Sequence, residues 1–238
     1  MSLKSKIQEL LDRLSVVSKR SAILADGEWI KFKVIYRRDK KFNGFWILYT
    51  HGGFGQAGNL FEHEDLVWFA KQGFVVWLPE YKQPNELSQD MQTLYRFIDH
   101  MTLHGKLAKN KIFLYGVSRG GYVAANFLRL HPELFKATAL CVAPLDIEKW
   151  KQTTNLTDPN LLAYFMESPV EYAKDYLDKR ILVLHATEDR IVPPEQGKLF
   201  ATAVNSPRLQ KRVLEGGHGL MHNSEEALSL VRDFFLIS

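Results

Sequence analysis

The chain alternates short apolar runs with longer segments in which apolar residues recur at helical spacing. Runs that are almost wholly apolar favour strands covered on both faces of a sheet. We predict such strands at 45–50, 74–79, 111–116, 137–143, 181–186 and 210–215.

A hairpin is predicted ahead of these strands. Residues 22–37 alternate apolar and polar positions on both sides of Asp26-Gly27. An Asp-Gly pair favours the tight turn of a hairpin, so this segment predicts two antiparallel strands.

Helical spacing recurs between the apolar runs, at 60–71, 88–104, 119–131, 195–204 and 225–236. Strands that alternate with helices predict an α/β protein whose mostly parallel sheet is flanked by helices on both faces. In such sheets, reactive groups collect at the carboxyl ends of the strands. Because repeats and long linkers are absent from the sequence, we expect a single domain over 1–238.

The segment 144–178 breaks this alternation, since about 35 residues separate the sixth strand from the next. It is either an ordinary helical excursion with aromatic residues in the core, or a short cap over the strand ends that shapes a substrate pocket. In the second case Trp150, Tyr164 and Phe165 are candidate substrate-binding residues.

The N-terminal segment predicts an amphipathic helix over 1–20. One face of this helix carries a stripe of apolar residues, which packs on the domain, or contacts a second copy of the chain or a membrane. The segment lacks the apolar core and cleavage site of a signal peptide, and no stretch is long enough to span a membrane. We therefore expect a cytoplasmic protein and leave a dimer open. The stripe consists of Ile7, Leu10, Leu11, Leu14 and Val17.

Composition narrows the function classes. A chain of 238 residues that is 46% hydrophobic can build a sizeable core. The net charge of +4 comes from scattered basic residues, and Asp39 interrupts the basic cluster at 37–41, so no nucleic-acid partner is expected. Cys141 is the only cysteine, which excludes an internal disulfide.

Residues 116–120 match the pattern G-x-S-x-G between a predicted strand and a predicted helix. In that context Ser118 is a candidate nucleophile at the turn, with Gly116 and Gly120 giving the strand and helix room to approach. The alternative is a glycine-rich turn without chemistry.

A serine nucleophile needs a base, and the base needs an orienting carboxylate. Asp189 follows one predicted strand, in "HATEDRIVP", and its rivals are Glu188 and Asp146. His218 follows the next strand, in "GGHG", and its rival is His222.

A metal site is not expected at these two histidines. Glycines around His218 favour a loop over a helix, and the Glu of an H-E-x-x-H motif is missing.

The oxyanion of such a reaction needs two backbone N–H donors. Arg119, directly after the serine, supplies one amide. Gly53 or its neighbour Phe54, in "HGGFG", supplies the other. A phosphate-binding loop is the alternative, but this loop lacks the Lys-Ser/Thr ending of a P-loop.

Together, "HGGFG", "GVSRGG", "HATEDRIVP" and "GGHG" resemble the α/β-hydrolase superfamily over about 44–236. Within it the chain is similar to the prolyl oligopeptidase-type catalytic domain, through Ser168-Pro169 ahead of the acid-bearing strand, and to dienelactone-hydrolase-like esterases. The resemblance implies an α/β-hydrolase fold and no cofactor. It implies Ser118 as nucleophile, His218 as base and Asp189 as orienting acid, with Gly53 and Arg119 as the oxyanion hole.

We therefore expect a serine hydrolase that cleaves a carboxylic ester, or a related acyl bond, of a small substrate through an acyl-enzyme. A serine peptidase or amidase acting on short peptides is the enzymatic alternative. A catalytically silent hydrolase fold that serves as a binding module is the alternative from another class. Arg119 stands where the peptidases often have an aromatic residue or Asn, so its side chain is a clue to the substrate.

Overall fold

The computed structural model describes residues 15–39, 41–53, 63–81, 86–108, 110–154 and 157–237. Its centre is an eight-stranded sheet in the order β1-β2-β4-β3-β5-β6-β7-β8. The strands are β1 Val16–Ala25, β2 Glu28–Arg37, β3 Trp46–Thr50, β4 Val75–Pro79, β5 Ile112–Val117, β6 Ala137–Cys141, β7 Ile181–Ala186 and β8 Leu209–Leu214.

Helices connect the strands. The α-helices are α1 Glu64–Lys71, α2 Leu87–Leu103, α3 Arg119–Leu130, α4 Ile147–Thr154, α5 Pro159–Tyr164, α6 Glu195–Val204, α7 Leu220–Asn223 and α8 Glu225–Leu236. Two 3-10 helices span Pro132–Leu134 and Pro169–Tyr176.

The sheet is parallel from β4 through β8 and antiparallel at its β1–β2 edge. β1 and β2 pair over their full length around Asp26-Gly27, where Asp26 has φ 48° and Gly27 φ 81°. These left-handed values are those that a tight hairpin turn requires. The predicted hairpin, parallel sheet and α/β class are all confirmed.

One boundary was predicted wrongly, at the N-terminal helix. Residues 16–20 lie in β1, and Val16 pairs with Arg37 of β2. Val17 matches the helical stripe by spacing alone. The segment instead pairs with β2, and cross-strand pairing outweighs the local helical pattern. The remainder of the predicted helix, 1–14, lies outside the described residues.

The core lies on both faces of the sheet. Side chains of β5 alternate between them, with Ile112 and Leu114 on one face and Phe113 and Tyr115 on the other. α2, α3 and α6 cover the first face, and α1 and α8 cover the second. This two-sided burial explains why the central strands are almost wholly apolar.

The segment between β6 and β7 folds into α4, α5 and the second 3-10 helix. Trp150 of this segment packs its ring on Phe165, with centroids 4.9 Å apart. Trp150 Nε1 also donates to the Ile191 carbonyl, 2.7 Å away in the loop after β7. The segment therefore contacts the loop at the carboxyl end of β7, and its role as a cap over a substrate pocket stays a prediction.

None of the helices in the described ranges combines the length and the apolar composition needed to cross a bilayer.

Candidate active site

Ser118 occupies a turn between β5 and α3 that imposes an unusual backbone conformation. Its φ of 56° and ψ of −125° lie in a region that residues other than glycine rarely adopt. The Ser118 amide donates to the Cys141 carbonyl at 2.9 Å, which ties the turn to the end of β6. Strain of this kind persists only where the surroundings over-determine it, and it is common at functional sites.

Glycines on both sides of Ser118 let three elements meet at the turn. A Cβ on Gly120 would lie 1.8 Å from the Thr50 carbonyl oxygen, and one on Gly116 would lie 2.5 Å from the Gly120 carbonyl oxygen. Thr50 Oγ1 donates to the Gly120 carbonyl at 2.8 Å, which fixes the end of β3 against α3. Neither position has room for a side chain, as the sequence pattern predicted for both glycines.

His218 connects Ser118 to Asp189. Its Nε2 lies 2.9 Å from Ser118 Oγ, and its Nδ1 lies 2.8 Å from Asp189 Oδ2. An ionised carboxylate can only accept hydrogen bonds, so Nδ1 carries the proton and Nε2 is left to accept from the serine. The three residues predicted from separate motifs thus come together as one hydrogen-bonded chain.

Asp189 is held by the loop that carries it. Its Oδ1 accepts from the amides of Ile191 at 3.0 Å and Val192 at 2.8 Å. The residue is 3% exposed. Because one oxygen is engaged by backbone amides, the other is oriented toward His218.

The rival residues lie elsewhere. Glu188 is exposed, and Asp146 Oδ1 accepts from the Lys149 amide at the start of α4. His222 lies in α7, and its Nδ1 is 3.9 Å from Asp65 Oδ1. Within the described ranges, no three His, Cys, Asp or Glu side chains come together in a way that could hold a metal ion.

Two further histidines near the site are buried and neutral. Burial, with a contribution from the Arg119 charge, lowers the pKa of His51 to about 3. Burial also lowers the pKa of His185 to about 4. His51 stacks on Tyr81 with ring centroids 4.1 Å apart, and Tyr81 Oη donates to the His51 carbonyl at 2.7 Å. These contacts support the start of the "HGGFG" loop.

The two described residues predicted as oxyanion donors, Gly53 and Arg119, line the same cavity as Ser118. Arg119 is the first residue of α3, and the N–H groups of a helix's first turn point along the axis, away from the body of the helix. Gly53 has φ 66°, a value that suits glycine, and it lines the same cavity as Ser118. Phe54, the other residue predicted here, lies outside the described residues.

A cavity of about 380 Å³ opens beside Ser118. Of the predicted substrate-binding residues, Trp150 and Phe165 line it. Tyr164 is not among the lining residues. Its hydroxyl instead donates to the buried carboxylate of Asp90 at 2.5 Å. The lining residues are Gly53, Ser118, Arg119, Pro144, Trp150, Thr154, Leu161, Phe165, Arg190, Ile191 and Val192.

Sequence reasoning missed the contribution of the acid loop to this cavity. Arg190, Ile191 and Val192 follow Asp189 directly and form part of the wall. Their position next to the predicted acid was the available signal, since a loop that delivers a carboxylate to the site must itself border the site.

Comparison with known proteins found a family model and solved structures that match this chain. A family model described as the prolyl oligopeptidase family matches residues 61–236, about three quarters of the chain. No curated protein has a sequence that matches this chain significantly.

Solved structures share the fold. An acylaminoacyl peptidase from Pyrococcus horikoshii superposes with a TM-score of 0.74 at 17% identity, over 98% of this chain and 42% of that chain. A puromycin-hydrolysing peptidase from Mycobacterium tuberculosis gives 0.69 at 19% identity, over 91% of this chain and 38% of that one. The thioesterase domain from the curacin biosynthetic pathway gives 0.68 at 14% identity, over 93% of this chain and 100% of that domain.

These likenesses confirm the α/β-hydrolase fold predicted from the four motifs. The chain spans about two fifths of the length of the two peptidases.

Proposed function

This chain belongs to the prolyl oligopeptidase family, and from that premise we propose that it is a serine hydrolase with Ser118 as nucleophile. It cleaves a carboxylic ester, or a related acyl bond, of a small substrate through an acyl-enzyme. The observation that carries the proposal is the hydrogen-bonded chain from Ser118 Oγ through His218 to Asp189.

The first step is attack by Ser118. A serine hydroxyl is a weak nucleophile at neutral pH, so His218 Nε2 removes the proton as Oγ attacks the substrate carbonyl. Asp189 stays ionised, holds the imidazole in the required tautomer and stabilises the imidazolium that forms. His218 then gives its proton to the leaving group, and the acyl group remains on Ser118.

The negative charge on the carbonyl oxygen is stabilised by the amides of Gly53 and Arg119. Arg119 begins α3, so its amide also lies at the positive end of the helix dipole. Losing one donor of this kind costs about 3 to 4 kcal/mol of transition-state stabilisation. Water then attacks the acyl-enzyme with His218 as base again, which restores Ser118.

A fluorophosphonate probe tests the mechanism, because it reacts covalently with an activated serine. We expect the wild-type protein to be labelled and Ser118→Ala to remain unlabelled. If the wild type stays unlabelled while a control serine hydrolase reacts in the same tube, the mechanism is wrong. If Ser118→Ala is still labelled, only the assignment of the nucleophile is wrong.

A peptidase acting on short peptides is the second candidate, and family membership is the observation that favours it. Parallel rates on p-nitrophenyl esters and aminoacyl-p-nitroanilides separate the two. Faster turnover of the anilides would replace the esterase proposal by the peptidase. The cytoplasmic location and a dimeric state stay predictions from the sequence.

A further inference from the structure

The charged side chains found at the cavity beside Ser118 are positive. Among the described residues that line it are two arginines, Arg119 and Arg190, and no acidic residue. The rest of the wall is mostly apolar, with Trp150 and Phe165 contributed by the cap. A pocket of this composition favours a ligand with a large apolar group and disfavours one that brings a positive charge.

The two arginines differ in how their charges are balanced. Arg119 is 3% exposed, and its Nη1 lies 3.6 Å from Oδ2 of the buried Asp90. Arg190 is exposed at the cavity, and across the described stretches of the chain no carboxylate lies within ion-pair distance of it. The positive charge available to a ligand is therefore that of Arg190.

The position of His218 indicates which part of the substrate occupies the cavity. The leaving group must depart next to His218 Nε2, which protonates it. The cavity wall contains Ser118 and both oxyanion residues, Gly53 and Arg119, but His218 is not part of it. The cavity consequently lies on the acyl side of the bond that is cleaved.

We propose that the acyl group of the substrate carries a free carboxylate that pairs with Arg190, while its apolar portion fills the cavity against Trp150 and Phe165. This inference rests on the proposed acyl transfer at Ser118. The substrate class is thus an ester or peptide whose acyl part is both bulky and anionic.

Three matched esters test the charge preference. The p-nitrophenyl esters of N-succinyl-, N-butanoyl- and N-(β-alanyl)-phenylalanine have acyl chains of similar length that end in a carboxylate, a methyl group and an ammonium group. We expect kcat/KM for the succinyl ester to exceed that for the butanoyl ester about fivefold, the scale of one exposed ion pair. The β-alanyl ester should be the poorest, and the ratios should fall as salt is added.

Variants at Arg190 connect the preference to this side chain. Arg190→Gln should bring the succinyl-to-butanoyl ratio to about one, and Arg190→Glu should reverse the order of the succinyl and β-alanyl esters. Arg20→Gln is the matched control, because Arg20 is exposed on the edge strand β1. It should keep the wild-type ratios.

Other outcomes overturn the inference. A wild-type ratio near one, or a ratio that Arg190→Gln leaves unchanged, would show that the carboxylate is not bound by Arg190. If Ser118 reacts with the fluorophosphonate but the protein cleaves none of the esters, unreactive amide analogues test the charge preference by how much they slow labelling. The amide of N-succinyl-phenylalanine must then slow labelling more than the N-butanoyl amide does, or the inference fails. Absence of both labelling and ester cleavage would instead refute the proposed function, and the inference with it.

Discussion

Asp90 and Arg119 form an ion pair inside the protein, with Arg119 Nη1 3.6 Å from Asp90 Oδ2. The Tyr164 hydroxyl donates to the same carboxylate oxygen, and the rings of Tyr81 and Tyr164 lie about 5 Å from the guanidinium carbon. Asp90 belongs to α2, Arg119 to α3 and Tyr164 to α5. Arg119, whose amide is proposed to bind the oxyanion, is thus fixed by its side chain to another helix and to the cap.

Asp90→Asn should lower the free energy of unfolding by about 3 kcal/mol, because removing one partner of a buried pair leaves the other charge poorly compensated. Urea denaturation measures the loss. Adding Arg119→Met should recover part of it. Glu28→Gln is the control, since it breaks an exposed pair with Arg96 that is worth less than about 1 kcal/mol. Equal losses in Asp90→Asn and Glu28→Gln would contradict this account.

Gly120→Ala should prevent native folding. The added Cβ would lie 1.8 Å from the Thr50 carbonyl oxygen, and a backbone oxygen cannot rotate away. Gly105→Ala is the control, since that glycine has φ 65° and open space around it, so we expect a loss of only about 1 kcal/mol. Resistance to proteolysis and thermal unfolding distinguish the two, and a native-like Gly120→Ala would show that the turn is not sterically closed.

Asp189→Asn should lower kcat by about 10³ to 10⁴ while leaving the fold intact. The amide oxygen can still accept from Ile191 and Val192, but the amide NH₂ faces His218 and forces its proton onto Nε2. In that tautomer His218 cannot accept from Ser118. Asp146→Asn is the matched control at a rival carboxylate and should retain kcat within about twofold. The assignment fails if the Asp146 variant, rather than the Asp189 variant, loses activity.

The three candidate catalytic residues could be placed together from sequence because each lies in a local pattern with a fixed structural context. Ser118 lies where a strand gives way to a helix, and Asp189 and His218 each follow a strand. Parallel strands bring such loops to one edge of the sheet, so chain order alone was enough to bring them together.

The packing around Arg119 could not be predicted in the same way. Nothing in the local sequence joins Asp90 to Arg119, or Tyr164 to either, because their contacts depend on how three helices dock. Tyr164 was predicted to bind substrate, since an aromatic residue in a cap suits that role, yet its hydroxyl is committed to Asp90. The start of β1 was likewise decided by cross-strand pairing rather than by local spacing.

Asp65 lies in α1, and its burial predicts how the stability of the fold changes with pH. The residue is fully buried, and burial raises the pKa of its carboxyl from 3.8 to about 6, although Tyr115 Oη donates to Oδ2 at 3.0 Å and His222 lies nearby. The folded state therefore holds the proton more tightly than the unfolded state does. Asp65 should favour folding at pH 4 relative to pH 7, with the difference lost progressively as the pH rises through 6.

Asp65→Asn isolates this contribution, because the variant keeps the shape of the side chain and cannot titrate. Between pH 4 and pH 7 the unfolding free energy of the wild type should fall relative to that of the variant by on the order of 2 to 3 kcal/mol. Urea denaturation at closely spaced pH values measures both curves. A difference that stays constant with pH, or that changes in favour of the wild type as the pH rises, would mean that Asp65 is ionised in the folded protein throughout this range. In that event, the His222 and Tyr115 contacts would outweigh the cost of burying the charge.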